Sequence, residues 1–179
     1  FTKTFNDYKK QKNLKTSDFD AITYHMPFTK MALKANRIAV EGQDEETTKK
    51  LESSFEAAKQ LSRRIGNAYT ASLYISLLSL LENDDLSAGS LVGLFSYGSG
   101  AMGEFYSGNL VEGYEKEIDK AKDMALLDRR KKLTIPEYEE VFNKALEDPE
   151  DGKELASDDK KGTWYFAGTK NYVRQYKEK

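Results

Sequence analysis

Cysteine is absent from all 179 residues. Its absence excludes disulfides, thiolate metal sites and a cysteine nucleophile carried by this chain itself. Histidine is almost absent too: His25 is the single one, so a histidine-rich metal site is not expected. There is no excess charge of one sign. Lys plus Arg is 28 against 30 Asp plus Glu, a net charge of −2, which gives no general reason to expect nucleic acid or an anionic membrane as partner. No apolar run approaches the ~20 residues that cross a bilayer, and the opening residues lack a secretory-signal pattern. Lack of cysteine fits a cytoplasmic protein. The first residue is Phe rather than Met, so the chain is expected to be a piece of something longer. No internal repeat is visible.

What is present is enough for a packed core. Apolar residues make up 39%, with 11 Tyr and 9 Phe, dense around 69–81 and 91–106 and thin around 147–161. Residues 4–12 read as the polar end of a helix. Phe19–Tyr24 reads as a strand that stops at Pro27, leaving His25 at its end or on the loop after it. A helix could restart over Phe28–Ala39. Residues 44–63 predict one helix, with Asp44, Glu45 and Glu46 at its start and Arg63 and Arg64 near its end, as the helix dipole favours. Gly66 ends it, and Asn67 opens another, about 68–82, apolar nearly all the way round and so expected to be buried. Leu91–Tyr97 reads as a strand, with a second around Phe105 to Leu110 after a tight turn. Helices are expected over 113–132 and, after Pro136, over 137–147. Residues 148–161 read as a solvated loop, and Thr163–Tyr172 as a final strand. The order predicts an α/β layered domain.

Three segments carry polar groups in positions suited to a site. Gly98-Ser-Gly100-Ala-Met-Gly103 matches the spacing of a dinucleotide loop, but the helix that loop needs does not follow; a hairpin whose glycines admit a close neighbour is the better reading. In that hairpin the Ser99 hydroxyl and nearby amides would line a pocket. His25, in Thr23-Tyr-His-Met-Pro-Phe28, is either an incidental residue at a capped strand end or a pocket group that donates to an oxyanion or moves a proton. Lys30 and Lys34 lie at i and i+4 on the restarted helix, either as solvated surface or as a grip on phosphates. Asn67 is accounted for as a helix cap, yet such a cap also turns an amide toward a ligand. The charge runs at 113–132 and 147–161 read as solvated faces.

Taken together, YHMPFTKM at 24–31, GNAYTASLY at 66–74 and FSYGSG at 95–100 resemble the family of bacterial 3-hydroxy-3-methylglutaryl-coenzyme A synthases. The three motifs stand in the family's order at compatible spacing, and the resemblance covers about 18–110. The resemblance implies the C-terminal half of a thiolase-like α-β-α fold with a mixed sheet and extra helices. Its core would be about 1–110 plus 163–175, with a family-specific helical insertion at about 111–162. It implies condensation of acetyl-CoA with acetoacetyl-CoA, both as substrates, with no further cofactor and no metal. His25 would be the active-site histidine that binds and polarises acetoacetyl-CoA. Asn67 would contact the acyl group, and Ser99 would hold the product's acyl or carboxylate end. Lys30 and Lys34 would lie near the CoA phosphates.

The departure is the missing nucleophile. The family's cysteine and its acid/base glutamate belong to the first half, and the acidic residues here lie on charged helices and loops. The implied partners are therefore an N-terminal half carrying Cys and Glu, acyl-CoA substrates and a second copy in a homodimer. Two other readings stay open: a polyketide β-branching relative that uses carrier-bound substrates, and a CoA-binding module without chemistry.

Overall fold

The computed structural model describes residues 1–143 and 164–178. The chain divides into two compact units, Phe1–Arg130 and Lys131–Lys179. The first opens with α1 (Thr2–Lys12), which ends at Asn13 in the left-handed conformation with Lys9, Lys10 and Lys12 in its last turn. Then comes β1 (Ala21–Tyr24), every residue of which is buried. Two further strands, β2 (Leu91–Gly98) and β3 (Met102–Asn109), complete a sheet of order β1-β2-β3. β1 runs parallel to β2, and β2 pairs antiparallel with β3 in a hairpin. A parallel strand covered on both faces has no solvent side, which is why β1 reads as a continuous buried run.

Helices cover both faces. α2 (Thr29–Val40) and α3 (Glu45–Ala58) join α1 in burying one side, where Phe5, Phe19, Ile22, Tyr24, Phe55, Phe95 and Phe105 form an aromatic core. Phe19 and Phe105 meet edge to face, 5.7 Å between centroids. Gly93 lets these rings close on β2: a Cβ there would lie 2.7 Å from the Phe105 ring. The buried Tyr24 hydroxyl donates to Asn36 Oδ1 at 3.0 Å. On the other face α5 (Ser72–Asn83) packs Leu73 and Leu80 on Ala21, Val92 and Leu94.

Several expectations are corrected. The single helix expected over 44–63 is two, α3 and α4 (Gln60–Ile65), broken at Lys59. The break has a tertiary cause. Ser79 Oγ on α5 donates to Ala57 O at 2.7 Å and accepts from Leu61 N at 3.1 Å, so it sits in the gap of a helical hydrogen bond. Asp44 is the cap of α3 rather than part of its first turn, accepting from Thr47 N at 2.7 Å. The helix expected from 68 begins as a 3-10 turn, Tyr69–Ala71, and becomes α-helical at Ser72. Its buried side is Ser72, Leu73, Ser76, Ser79 and Leu80, while Tyr74 is exposed and Leu77, Leu78 and Leu81 are half-buried.

The helical stretch expected over 113–132 is a 3-10 turn, Tyr114–Glu117, followed by α6 (Lys120–Asp128), which Asp119 caps by accepting from Lys122 N at 2.9 Å. In the second unit α7 (Ile135–Asn143) starts at the residue before Pro136. The loop expected over 148–161, residues 144–147 and Thr163 lie outside the described residues. The final strand is half of a hairpin. β4 (Trp164–Lys170) turns through Asn171 and Tyr172, both at positive φ, into β5 (Val173–Glu178). Two positive-φ residues in a two-residue loop match the twist of the flanking strands.

Candidate functional site

Parallel strands end on the same side, and ligands of α/β sheets bind beyond those carboxyl ends. The C-terminal ends of β1 and β2 bring His25 and the segment Ser96–Ser99 to one edge. His25 extends the ladder by one bond, its N–H donating to Phe95 O at 2.7 Å, and Pro27 then turns the chain into α2. The imidazole is half-buried, and burial holds its pKa below the ordinary histidine value. It is therefore neutral at neutral pH, with one ring nitrogen to donate and one to accept.

Asn67 arrives from a different element. Gly66, at φ 83°, stops α4, and Asn67 follows it before α5. Its Oδ1 accepts from Tyr69 N at 2.9 Å. That bond settles which end of the amide is which and leaves the NH2 group to donate. Tyr69 is held at φ 51° and is 76% exposed. Ser99 sits at the tip of the β2–β3 hairpin, where Gly100 and Ala101 take positive φ.

These three residues line one cleft of about 620 Å³. The spacing of 42 and 32 residues between them in sequence closes to a single cavity wall because the sheet edge and the start of α5 face each other. A second groove of about 290 Å³ shares His25, Met31 and Tyr97 with it and is lined also by Tyr24, Lys34, Ala35 and Ile38. Lys34 thus reaches a cavity wall. Lys30 is exposed on α2 and lines neither cavity. Among the described residues no cluster of His, Cys, Asp and Glu could hold a metal ion.

Sequence reasoning missed Ser96, Tyr97, Tyr74 and Glu104, which also line the cleft. Glu104 was findable. Phe105 belongs to the core, and strand alternation puts Glu104 and Tyr106 together on the opposite face. Tyr106 carries a phenol pushed up to about 12, first by burial, then by its hydrogen bond with Tyr74, with the Glu104 charge adding to it.

A layered α/β unit with a cleft at the ends of its parallel strands is the class that fold and site define. The family model described as "Hydroxymethylglutaryl-coenzyme A synthase C terminal" matches residues 37–179. A hydroxymethylglutaryl-CoA synthase of Enterococcus faecalis is 40% identical over 178 residues, 99% of this chain and 45% of that protein. The polyketide biosynthesis 3-hydroxy-3-methylglutaryl-ACP synthase PksG of Bacillus subtilis is 32% identical over 133 residues, 69% of this chain and 30% of that protein. Among solved structures, an HMG-CoA synthase complexed with CoA superposes with a TM-score of 0.86 at 34% identity, covering 99% of this chain and 46% of that one. The chain belongs to the hydroxymethylglutaryl-CoA synthase family, as its C-terminal portion, with that family's thiolase-like fold. It spans about half the length of the curated relatives it matches. His25 precedes the stretch matched by the family model but lies within the alignment to the Enterococcus protein.

Proposed function

We propose that this chain is the acyl-CoA-binding half of a hydroxymethylglutaryl-CoA synthase, an acyltransferase that condenses acetyl-CoA with acetoacetyl-CoA. The observation that carries the reading is the convergence of His25, Asn67 and Ser99 on one cleft. An N-terminal half supplies the cysteine thiol that takes the acetyl group and the glutamate that removes a methyl proton. The resulting carbanion adds to the ketone of acetoacetyl-CoA. Neutral His25 donates to the ketone oxygen as it becomes an alkoxide, and the Asn67 NH2 group donates to an acyl oxygen. Ser99 holds the acyl or carboxylate end of the product. Water then cleaves the thioester to cysteine, giving HMG-CoA, while free CoA derives from the acetyl donor.

The second groove suits the CoA arm: its walls are mostly apolar, His25 lines it, and Lys34 on its wall offers a cation to phosphate, with Lys30 one turn away. On this reading the thiolase-like core is about 1–110 plus 163–175, the insertion about 111–162, and the protein works as a cytoplasmic homodimer in the mevalonate pathway. No helix among the described residues is long and apolar enough to cross a membrane. The chain alone does not turn over, because it has no cysteine.

The test is the synthase assay on the full-length protein that contains this chain. Acetyl-CoA-dependent loss of acetoacetyl-CoA is expected, with His25→Ala lowering kcat/KM by about 100-fold or more, the scale of a lost general acid/base or oxyanion donor. Unchanged turnover in that variant removes the role assigned to His25. A need for carrier-bound substrate would move the protein to the polyketide branch, and binding of CoA without turnover would make it a non-catalytic module.

A further inference from the structure

Asn67 is exposed, and an exposed amide keeps its rotamer freedom unless something holds it. Two donors hold its oxygen. Tyr69 N donates to Asn67 Oδ1 at 2.9 Å, and Ser72 Oγ donates to the same atom at 3.5 Å. The serine is itself committed. Its oxygen accepts from Ala68 N at 3.1 Å, which leaves its own proton for Asn67. Ser72 opens α5 and is only 1% exposed. The residues that cover it belong to this chain, so its bonds do not wait on any other part of a longer protein.

We propose that Ser72 is a positioning residue for Asn67: its hydroxyl holds the amide oxygen back and ties the peptide that follows, so that Asn67 offers the cleft its NH2 group. The inference rests on the acyl-CoA reading given above and concerns how one residue of that site is set. An amide oxygen has two lone pairs, and Tyr69 N and Ser72 Oγ take both. The ligand atom that faces Asn67 must then be an acceptor, as an acyl oxygen is. A donor already aimed needs no reorganisation when charge builds on that oxygen. A hydroxyl donating to the amide oxygen also polarises the amide and strengthens donation from its nitrogen. At 3.5 Å Ser72 steers the amide rather than clamps it, while the shorter bond from Ala68 N fixes the backbone between the two residues. Tyr69, next along, stands at φ 51°, a conformation that a residue other than glycine holds only where its surroundings enforce it. The two amide bonds that lead into it supply such contacts.

The experiment is a double-mutant cycle on the full-length synthase that contains this chain. The kcat/KM for acetoacetyl-CoA is measured for the wild type, Ser72→Ala, Asn67→Ala and the double variant. Asn67→Ala is expected to lose about 100-fold, the scale of a lost oxyanion donor. Ser72→Ala is expected to lose about tenfold, the scale of one hydrogen bond. The double variant should be no slower than Asn67→Ala alone, because Ser72 acts only through Asn67. Ser72→Cys, which fills the same place with a weak donor, should behave as Ser72→Ala does and serves if the alanine variant fails to fold. A serine that only stabilised the start of α5 would cost the same factor with and without Asn67. That outcome, or Ser72→Ala at the wild-type rate, overturns the assignment and leaves the synthase reading intact. A wild type without synthase turnover overturns the acyl-CoA reading, and this assignment with it.

Discussion

One face of the three-stranded sheet is packed with rings, the other with serine, alanine and leucine. Under α1 and α3, Phe5, Phe19, Tyr24, Phe55 and Phe105 cross at centroid distances of 4.9 to 6.0 Å in the pairs they form. Under α5 the buried positions are Ser72, Ser76, Ser79, Leu73 and Leu80. The aromatic face gains stability from apolar area. The serine face gains close approach, since small side chains let α5 lie near α3 and α4, at the risk of stranded hydroxyls. Ser79 finds two backbone partners, whereas the buried Ser62 and Ser76 hydroxyls have none among the described residues. The cleft opens where the serine face ends, at the start of α5. Stability and chemistry are thus drawn from opposite sides of one sheet.

The comparison breaks most visibly on the aromatic side. Phe19 is fully buried, and Phe19→Ala should destabilise the protein by about 3–5 kcal/mol, measured by chemical denaturation. A loss below about 1 kcal/mol would mean that the rings do not form a close-packed core. On the serine side the effect is smaller and of another kind. Ser79→Ala removes the hydroxyl from the α3–α4 break and leaves Leu61 N–H and Ala57 O to find each other or stay unpaired. A loss of about 1–3 kcal/mol is expected from the stranded pair. No loss, together with a continuous helix through Lys59 by amide exchange or NMR shifts, would show that the break is not held by Ser79.

The smallest effect concerns pH, at the far end of α5. Both carboxylate oxygens of Glu82 are buried, beside the Asp123 carboxyl. Burial first, and then the Asp123 carboxyl on α6, push its pKa from the ordinary 4.5 up to about 7, with Lys120 pulling the other way. The folded protein therefore holds a proton that the unfolded chain releases near 4.5. Stability from this group is complete below that value and drains away as pH rises toward and through about 7. Glu82→Gln does not titrate, so it should flatten the pH dependence of Tm across that window and raise Tm at its upper end. A parallel curve for both proteins would remove Glu82 as its source.

Local chemistry made much of this legible. Pro27 placed the end of β1, Gly66 and Asn67 marked the join of two helices, and the glycines after Tyr97 announced the hairpin. The same signals placed His25, Asn67 and Ser99 at element ends, where the cleft later gathers them. The second strand of the final hairpin, Val173–Glu178, was overlooked because charge interrupts its alternation, although Asn171 was a turn signal in view.

The sequence by itself determined where elements start and stop, because caps, dipoles, proline and glycine act within a turn of the residue that carries them. It also determined that this chain carries no cysteine nucleophile of its own, because no cysteine is there to fold into place. Only the tertiary structure decided the rest. The α3–α4 break depends on a hydroxyl 18 residues beyond Leu61. Glu104 reaches the cleft wall through its register with β2, and Lys30, one turn from Lys34 on the same helix, is left outside. Those outcomes turn on which surfaces meet after the sheet has closed, and side-chain period alone does not carry that information.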